Sequence, residues 1–251
     1  MVDLRVSIVT VCFNSAATLP ATLASVASQT GADIEHIVID GGSTDGTAAI
    51  LESHRPQLAY VISEPDHGIY DAMNKGVRQA KGQIIAFLNA DDVYAHEQVI
   101  AHVVQAMERE HLDALFGDVA FVSADDPMRI RRRYSSARFT PTRIAWGWMP
   151  AHPALFLRRE VFERVGPFRT DYRIAGDFEF VARAFWPGTL RYRHLPEVLV
   201  KMRTGGISTS GWQNTLLLNR EVLRACRENG IPSNMLKILS KYPWKFPEFF
   251  R

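Results

Sequence analysis

Several things are scarce in this chain, and each scarcity excludes a class. Among 251 residues there are two cysteines, Cys12 and Cys226. They lie far apart in apolar segments, which reads as two buried thiols and not as a disulfide framework. No Cys/His spacing resembles a zinc site. No apolar run approaches the ~20 residues that a membrane-spanning helix needs. Met1–Arg5 leads straight into a strand, with no signal-peptide pattern. These readings predict a protein that works on the cytoplasmic side. Charge of one sign is scarce too: 29 Lys+Arg against 27 Asp+Glu leaves a formal net charge of +2. That is too little to argue for a nucleic-acid partner. Two nucleotide fingerprints are also missing. Cys12-Phe13-Asn14-Ser15 follows the first strand without a glycine, against a dinucleotide-binding turn, and the glycine-rich stretch 41–46 lacks the Gly-Lys-Ser/Thr end of a phosphate loop.

What remains is an ordinary globular composition, 47% hydrophobic and 22% charged, with a strong strand–helix rhythm. Val6–Val11 is a β-branched apolar run, the pattern of a strand buried on both faces. Asn14-Ser15 opens a helix striped by Leu19, Leu23, Val26 and Ala27, which Gly31 stops. Ile34–Asp40 is a second strand, ending in a glycine-rich turn that opens another helix. Leu58–Ser63 reads as a third strand. Ile69, Ala72, Met73, Val77 and Ala80 mark a third helix. Gln83–Leu88 is a fourth strand, and Val99 to Met107 stripes the next helix. Strands and helices alternating at this spacing predict an α/β fold with a mostly parallel sheet covered on both faces. Ligands of such sheets sit beyond the C-terminal strand ends. The polar groups there are Asn14, Asp40 with its glycine turn, Glu64-Pro65-Asp66-His67, and Asn89-Ala90-Asp91-Asp92.

Past residue 112 the rhythm becomes irregular. Asp113–Val122 and Met128–Tyr134 read as strands joined at Asp125-Asp126-Pro127, and Gln213–Glu228 as a helix. The expected organisation is one continuous domain, with a ligand-binding half at 1–112 and a mixed-sheet half at 113–251.

Asp91 and Asp92 are adjacent carboxylates at a strand end, a costly pair unless neutralised. One reading is a hard divalent cation, Mg²⁺ or Mn²⁺, bridging them to a diphosphate. The other is acidic capping of the helix beginning near His96. The turn Asp40–Gly46 brings backbone N–H groups toward an incoming polar group, or is simply a capped turn.

Four segments then occur in order: Ser7-Ile-Val-Thr10-Val-Cys-Phe13-Asn14, Val38-Ile-Asp40-Gly-Gly-Ser43-Thr-Asp45, Gly68-Ile-Tyr-Asp-Ala-Met-Asn74-Lys75-Gly76 and Phe87-Leu-Asn89-Ala-Asp91-Asp92. Together they resemble the family 2 glycosyltransferases of the GT-A fold, over about the first 95 residues and more thinly to about 205. The Gly68–Gly76 form is similar to a bacterial subgroup that includes colanic-acid-type, surface-polysaccharide and glycolipid transferases. The resemblance implies an inverting enzyme that moves one sugar from a nucleotide-sugar donor (UDP, dTDP or GDP type) to a hydroxyl of a glycan or lipid-linked acceptor. It implies that Phe13 lies against the base and that Asp40 helps to hold it, although many members carry a second acid where this chain has Gly41. Thr10, Asn14, Ser43, Asn74, Asn89 and Asp91 fall in the donor-binding motifs. Asn74 and Lys75 are expected to shape the donor pocket wall, with a solvated charge the alternative for Lys75. Asp91 and Asp92 are expected to hold the metal, with Asn89 replacing the first acid of the family's Asp-x-Asp.

In the second half, Asp177 within Ile174–Phe180 matches the family's catalytic Asp, with helix capping as the alternative. An inverting transfer needs such a base, to take the hydroxyl proton while its oxygen attacks C1 opposite the diphosphate. Glu179 competes, but on a helix it points about 200° away. His152, in Met149–Leu157, resembles an acceptor-side strand histidine and is equally read as structural. Arg129, Arg131 and Arg133 alternate onto one side of a strand, as a solvated face or toward an anionic lipid. The aromatic and basic tail from Lys241 to Arg251 suits peripheral membrane contact. A nucleotidyltransferase is the rival enzyme; it would want a glycine- and Arg/Lys-rich loop after the first strand. A catalytically inactive binding module is the third reading. The chain lacks the Gln-x-x-Arg-Trp motif of processive members, in keeping with single-sugar addition.

Overall fold

Residues 4–123, 129–203 and 212–242 are described by a computed structural model. Its first half is a βα alternation: β1 (Val6–Cys12), α1 (Leu19–Ala27), β2 (Ile34–Asp40), α2 (Thr47–His54), β3 (Tyr60–Ser63), α3 (Ile69–Gln79) and β4 (Ile84–Phe87). β1 runs parallel to both β2 and β4, and β3 parallel to β2. Period-two alternation explains why these strands are apolar throughout. Val9, Val11, Ile37, Ile39, Ile85 and Phe87 enter one core with Tyr70 and Met73 of α3. Val6, Ile8, Ile84 and Ala86 enter a second core on the opposite face, with residues 99–107.

The rest of the chain extends the same sheet. β5 (Val93–Tyr94) and α4 (Val99–Arg109) precede β6 (Ala114–Val122), β7 (Ile130–Tyr134), β8 (Leu155–Arg158), α5 (Arg159–Val165), α6 (Gly176–Phe185), β9 (Tyr192–Arg203), α7 (Trp212–Glu228) and α8 (Met235–Leu239). The order across the nine-stranded sheet is β3-β2-β1-β4-β8-β6-β9-β5, with β7 paired to β6. β8 is antiparallel to β4 and β6, and β5 is antiparallel to β9. β6 is parallel to β9, so the sheet is mixed beyond β4. α6 presses Phe178, Phe180, Val181 and Phe185 into the first core. Truncating a ring as buried as Phe180 costs about 3–5 kcal/mol.

Some boundaries differ from expectation for physical reasons. α1 starts at Leu19, not at Asn14-Ser15, because Asn14 adopts a left-handed φ of 49° that a helix cannot contain. His152 lies in a short 3-10 turn, His152–Ala154, ahead of β8 and not on the strand itself. On β7 the expected alternation is present: Arg131 and Arg133 are exposed, while Arg132 turns back and stacks over Phe121 at 4.3 Å. The Asp125-Asp126-Pro127 turn and the tail beyond Tyr242 lie outside the described residues. Lys241, expected as an interface cation, is buried beside Gly147. Both cysteines are buried and free. No helix among the described residues is long and apolar enough to cross a membrane.

Candidate active site

The C-terminal ends of β1, β2, β3 and β4 bring the polar clusters to one edge, but with unequal roles. The β1 and β2 loops bind each other. Asn14 N–H donates to Ser43 Oγ (2.7 Å), and Thr44 N–H donates to Asn14 Oδ1 (2.9 Å). Ser43 N–H donates to Asp40 Oδ2 (3.0 Å), its hydroxyl donates to Oδ1, and Ser63 adds a bond at 2.5 Å. Thr47 N–H goes to Asp45 (3.1 Å). The N–H groups of Ser43 and Thr44, in a turn read either as facing a ligand or as simply capped, are therefore spent inside the loops. Asp40 is fully buried with its oxygens occupied, so it shapes the turn and does not point outward. Thr10 is likewise buried, its hydroxyl 2.9 Å from His36 Nε2. Burial holds that imidazole neutral, with a pKa lowered to about 3. Asn74 is buried and bonded reciprocally to the backbone of Phe168, at 2.8 Å each way. It ties α3 to the loop before α6 instead of lining a pocket wall. Lys75 braces the β3–α3 loop through Glu64 (2.8 Å) and the Pro65 carbonyl (3.0 Å).

Phe13 is 63% exposed, a face free for stacking and no part of the core. Beside it, a Cβ added to Gly41 would meet the Asp66 carboxylate and the Phe13 ring. Asp66 thus fills the space that a side chain at position 41 would take. It is fixed there by the Gly68 N–H (2.8 Å). Sequence reasoning noted Asp66 only as part of a polar cluster.

Asp91 and Asp92 sit between β4 and β5. The helix they were a candidate to cap, α4, starts only after Gln98 and has no acid in its first turn, which removes the capping reading. Asp92 is buried, and its carboxylate accepts from Asn89 Nδ2 at a long 3.2 Å, with the Arg203 backbone also within reach. Burial and the neighbouring Asp91 raise its pKa well above the carboxylate range. Burial likewise raises Asp91. Asn89 thus gives Asp92 a neutral donor where a third acid would add repulsion. A buried carboxylate beside a half-buried one, repelling each other with Arg203 as the cation that Asp91 feels, supplies hard oxygen ligands suited to a divalent cation.

Asp177 lies in the first turn of α6, two residues past the N-cap Ala175, so it is not the cap. Its Oδ1 accepts from Phe178 N–H (2.8 Å) and stands 3.4 Å from the Tyr70 hydroxyl, which donates to the Ile174 carbonyl (2.7 Å). Burial raises the Asp177 pKa, against an opposing pull from His152. Burial lowers His152, against the charge of Asp177. The His152 ring stacks on Phe87 with centroids 5.3 Å apart, which joins this pair to the end of β4. Gly176 is explained by space: a Cβ there would lie 2.7 Å from the Tyr70 ring. Glu179, the rival base, is buried and paired to Arg183 at 2.8 Å.

One residue that sequence reasoning missed organises this corner. Glu221 of α7 is buried, and its carboxylate accepts the N–H groups of Arg173 (2.8 Å), Ile174 (2.9 Å) and Ala175 (2.8 Å). The loop that presents Asp177 therefore hangs on one side chain. An acid beside the apolar stripe of Val222, Ala225 and Cys226 was the available signal. A groove of about 350 Å³ lined by Ile34, His36 and His54 lies toward the opposite sheet edge and shares none of these residues.

A doubly covered sheet with an acidic pair after β4 and a half-buried carboxylate at the same edge is the arrangement of a GT-A glycosyltransferase. The Glycosyl transferase family 2 profile matches residues 7–166, more than half of the chain, and the protein belongs to that family. A Mycobacterium bovis (BCG) PGL/p-HBAD biosynthesis glycosyltransferase is 35% identical over 209 residues, 81% of this chain and 79% of the relative. Glycosyltransferase AglE of Haloferax volcanii is 31% identical over 199 residues, 75% of this chain and 64% of the relative. Among solved structures, S. aureus TarS 1–349 in complex with UDP-GlcNAc superposes with a TM-score of 0.68 at 18% identity, over 88% of this chain and 66% of that one. The Pyrobaculum calidifontis mannosyltransferase PcManGT, in complex with GDP-Man and Mn²⁺, gives 0.66 at 19%, over 98% and 73%. At those identities the likeness concerns the fold.

Proposed function

We propose that this enzyme transfers a single sugar, with inversion, from a nucleotide-sugar donor to a hydroxyl of a glycan or lipid-linked acceptor. The observation that carries the reading is the mutually repelling Asp91–Asp92 pair at the end of β4, with the half-buried Asp177 on the same edge. Asp91 and Asp92 would hold a Mn²⁺ or Mg²⁺ ion, whose charge would offset that building on the leaving diphosphate. Phe13 stacks on the base. Asp66, placed where other members carry an acid at position 41, accepts a base or ribose proton. Asp177 takes the acceptor proton as the acceptor oxygen bonds to C1 and the C1–oxygen bond to the diphosphate breaks. Tyr70 and Glu221 hold Asp177 in place, and neutral His152 borders the acceptor. Residues 1–112 supply the donor side and 113–251 the base and acceptor side.

The relatives named for PGL/p-HBAD biosynthesis support a surface-glycolipid product. Contact with the inner face of a membrane is consistent with α8, where Leu236 is 81% exposed and Lys237 stands over Trp146. The test is a thermal-shift screen of UDP, GDP, dTDP, CMP and their sugars, with and without Mn²⁺ or Mg²⁺, followed by ¹H NMR of the product anomer. One metal-dependent nucleoside diphosphate and an inverted anomer are expected. Retention of configuration would refute the mechanism, and pyrophosphate release would move the assignment to a nucleotidyltransferase.

A further inference from the structure

Three metal-ligating side chains from separate elements meet away from the substrate edge. His96 lies in the loop between β5 and α4, His102 on α4, and Glu197 on β9. His96 Nε2 is 2.5 Å from Glu197 Oε1, and His102 Nδ1 is 3.2 Å from each Glu197 oxygen. One ligand atom from each of the three lies within 4.8 Å of the others. Ligand atoms of a tetrahedral Zn²⁺ with bonds near 2.0–2.2 Å stand about 3.3 Å apart, so only small side-chain adjustments separate this cluster from a coordination set. All three side chains are partly exposed, which lets an ion enter and water complete its shell.

The backbone beneath is already tied down. Ala95 N–H donates to the Leu199 carbonyl (2.9 Å), Thr30 N–H to the Glu97 carbonyl (2.8 Å), and the Gln29 amide to the His96 carbonyl (2.8 Å). An ion would therefore not have to order the loop. His96 Nδ1 accepts the Gln98 N–H at 3.2 Å, so without metal the ring proton sits on Nε2 and is shared with Glu197. Metal at Nε2 takes the place of that proton, which moves to Nδ1 at the expense of one long contact. His102 binds through Nδ1 and keeps its proton on Nε2.

We propose that His96, His102 and Glu197 form a second divalent-metal site, of the Zn²⁺ class, that clips the β5–α4 loop to β9. It is distinct from the Asp91–Asp92 pair in place and in chemistry. β5 pairs antiparallel with β9 at Val93↔Lys201 and Tyr94↔Val200, which sends Asp91 and Asp92 toward Arg203. Glu197 lies six residues back along that strand, on the order of 20 Å away. Two imidazoles with one carboxylate favour Zn²⁺, whereas an all-oxygen pair favours Mg²⁺ or Mn²⁺. A bound ion would add a tie at the far end of β5, the short strand that follows Asp91 and Asp92.

The test is Zn²⁺ titration of the full chain by calorimetry and by thermal unfolding, in the wild type, in D91N/D92N and in H96A/H102A. Saturable binding near one equivalent, with a raised Tm, is expected to persist in D91N/D92N. H96A/H102A should lose it, and E197Q should weaken it at least tenfold, by comparison with the ~10–100-fold cost of losing merely an outer-shell partner. Co²⁺ in D91N/D92N should show the intense visible bands of a tetrahedral site. The metal-free Tm of H96A/H102A should equal that of the wild type; if the double variant unfolds, H102Q alone carries the same test. No saturable Zn²⁺ binding in D91N/D92N, or unchanged affinity in H96A/H102A or H102Q, overturns the proposal.

Discussion

The turn after β2 and the turn after β4 look alike as sequence: each ends a buried strand with small residues and acids. In the folded protein they are opposites. Asp40 is buried with its oxygens occupied by Ser43 and Ser63. Asp92 is as buried, but the Asn89 amide reaches it only at 3.2 Å, and Asp91 repels it. An acid that burial satisfies is scaffold. An acid that burial leaves in want of positive charge is a place for a ligand. The contrast extends to the second half, where Glu179 is neutralised by Arg183 and Asp177, two residues earlier, has no Lys or Arg paired to it among the described residues, only the pull of His152.

The sharpest way to test that contrast is at the proposed base. Asp177→Asn should lower kcat by about 10²–10⁴-fold, the usual worth of a positioned base, with Tm nearly unchanged. A loss below tenfold would return Asp177 to the scaffold class.

The next test exchanges the two turns. Asp92 has a raised pKa in the folded state, so its contribution to stability is present at low pH and is lost as pH rises from the ordinary carboxyl value through the raised one. At neutral pH without metal, Asp92→Asn should therefore raise Tm by about 2–4 °C, the shift for ~1 kcal/mol in a chain of this size, while abolishing metal-dependent turnover. Asp40→Asn should do the reverse and cost about 1–2 kcal/mol by leaving its donors short of an acceptor. Parallel changes in thermal unfolding would break the comparison.

Glu221→Ala leaves three N–H groups, one of them buried, without their acceptor and should destabilise by about 2 kcal/mol. Activity should fall through kcat, with the donor KM held, because the loop it hangs belongs to the base. Asp66→Asn should act on the other side, raising the donor KM about tenfold, as loss of one charge-assisted bond predicts, with little change in Tm. The smallest effect is electrostatic. Protonated Asp177 cannot accept a proton, and its pKa is raised, so the acid limb of kcat/KM should lie above the ordinary carboxyl range. The Tyr70 hydroxyl opposes that rise, so Tyr70→Phe should move the limb to still higher pH. A limb that moves down, or not at all, would remove Tyr70 from the site.

Much of this was legible from periodicity. The first four strands and the helices after β3 and β5 lie within a few residues of expectation, because doubly buried strands and amphipathic helices leave strong patterns. The motifs put Asp91, Asp92 and Asp177 among the candidates. What was not legible was the direction each polar side chain takes. Thr10 and Asn74 fall inside ligand-binding motifs, yet their polar atoms are spent on His36 and on the backbone of Phe168. Glu221 carries no motif at all.

The sequence by itself determined the fold class, the sheet edge that carries chemistry and the family, because these follow from spacing along the chain and from residue types in order. Only the tertiary structure decided which acids have their oxygens occupied and which are left short of donors, that Asp66 fills the place left by Gly41, that Glu221 suspends the Asp177 loop, and that two histidines and a glutamate converge beside α4 and β9. The reason is that a carboxylate's role depends on how many donors reach it and how much water it has lost, and both are set jointly by near neighbours and by residues up to more than a hundred positions away.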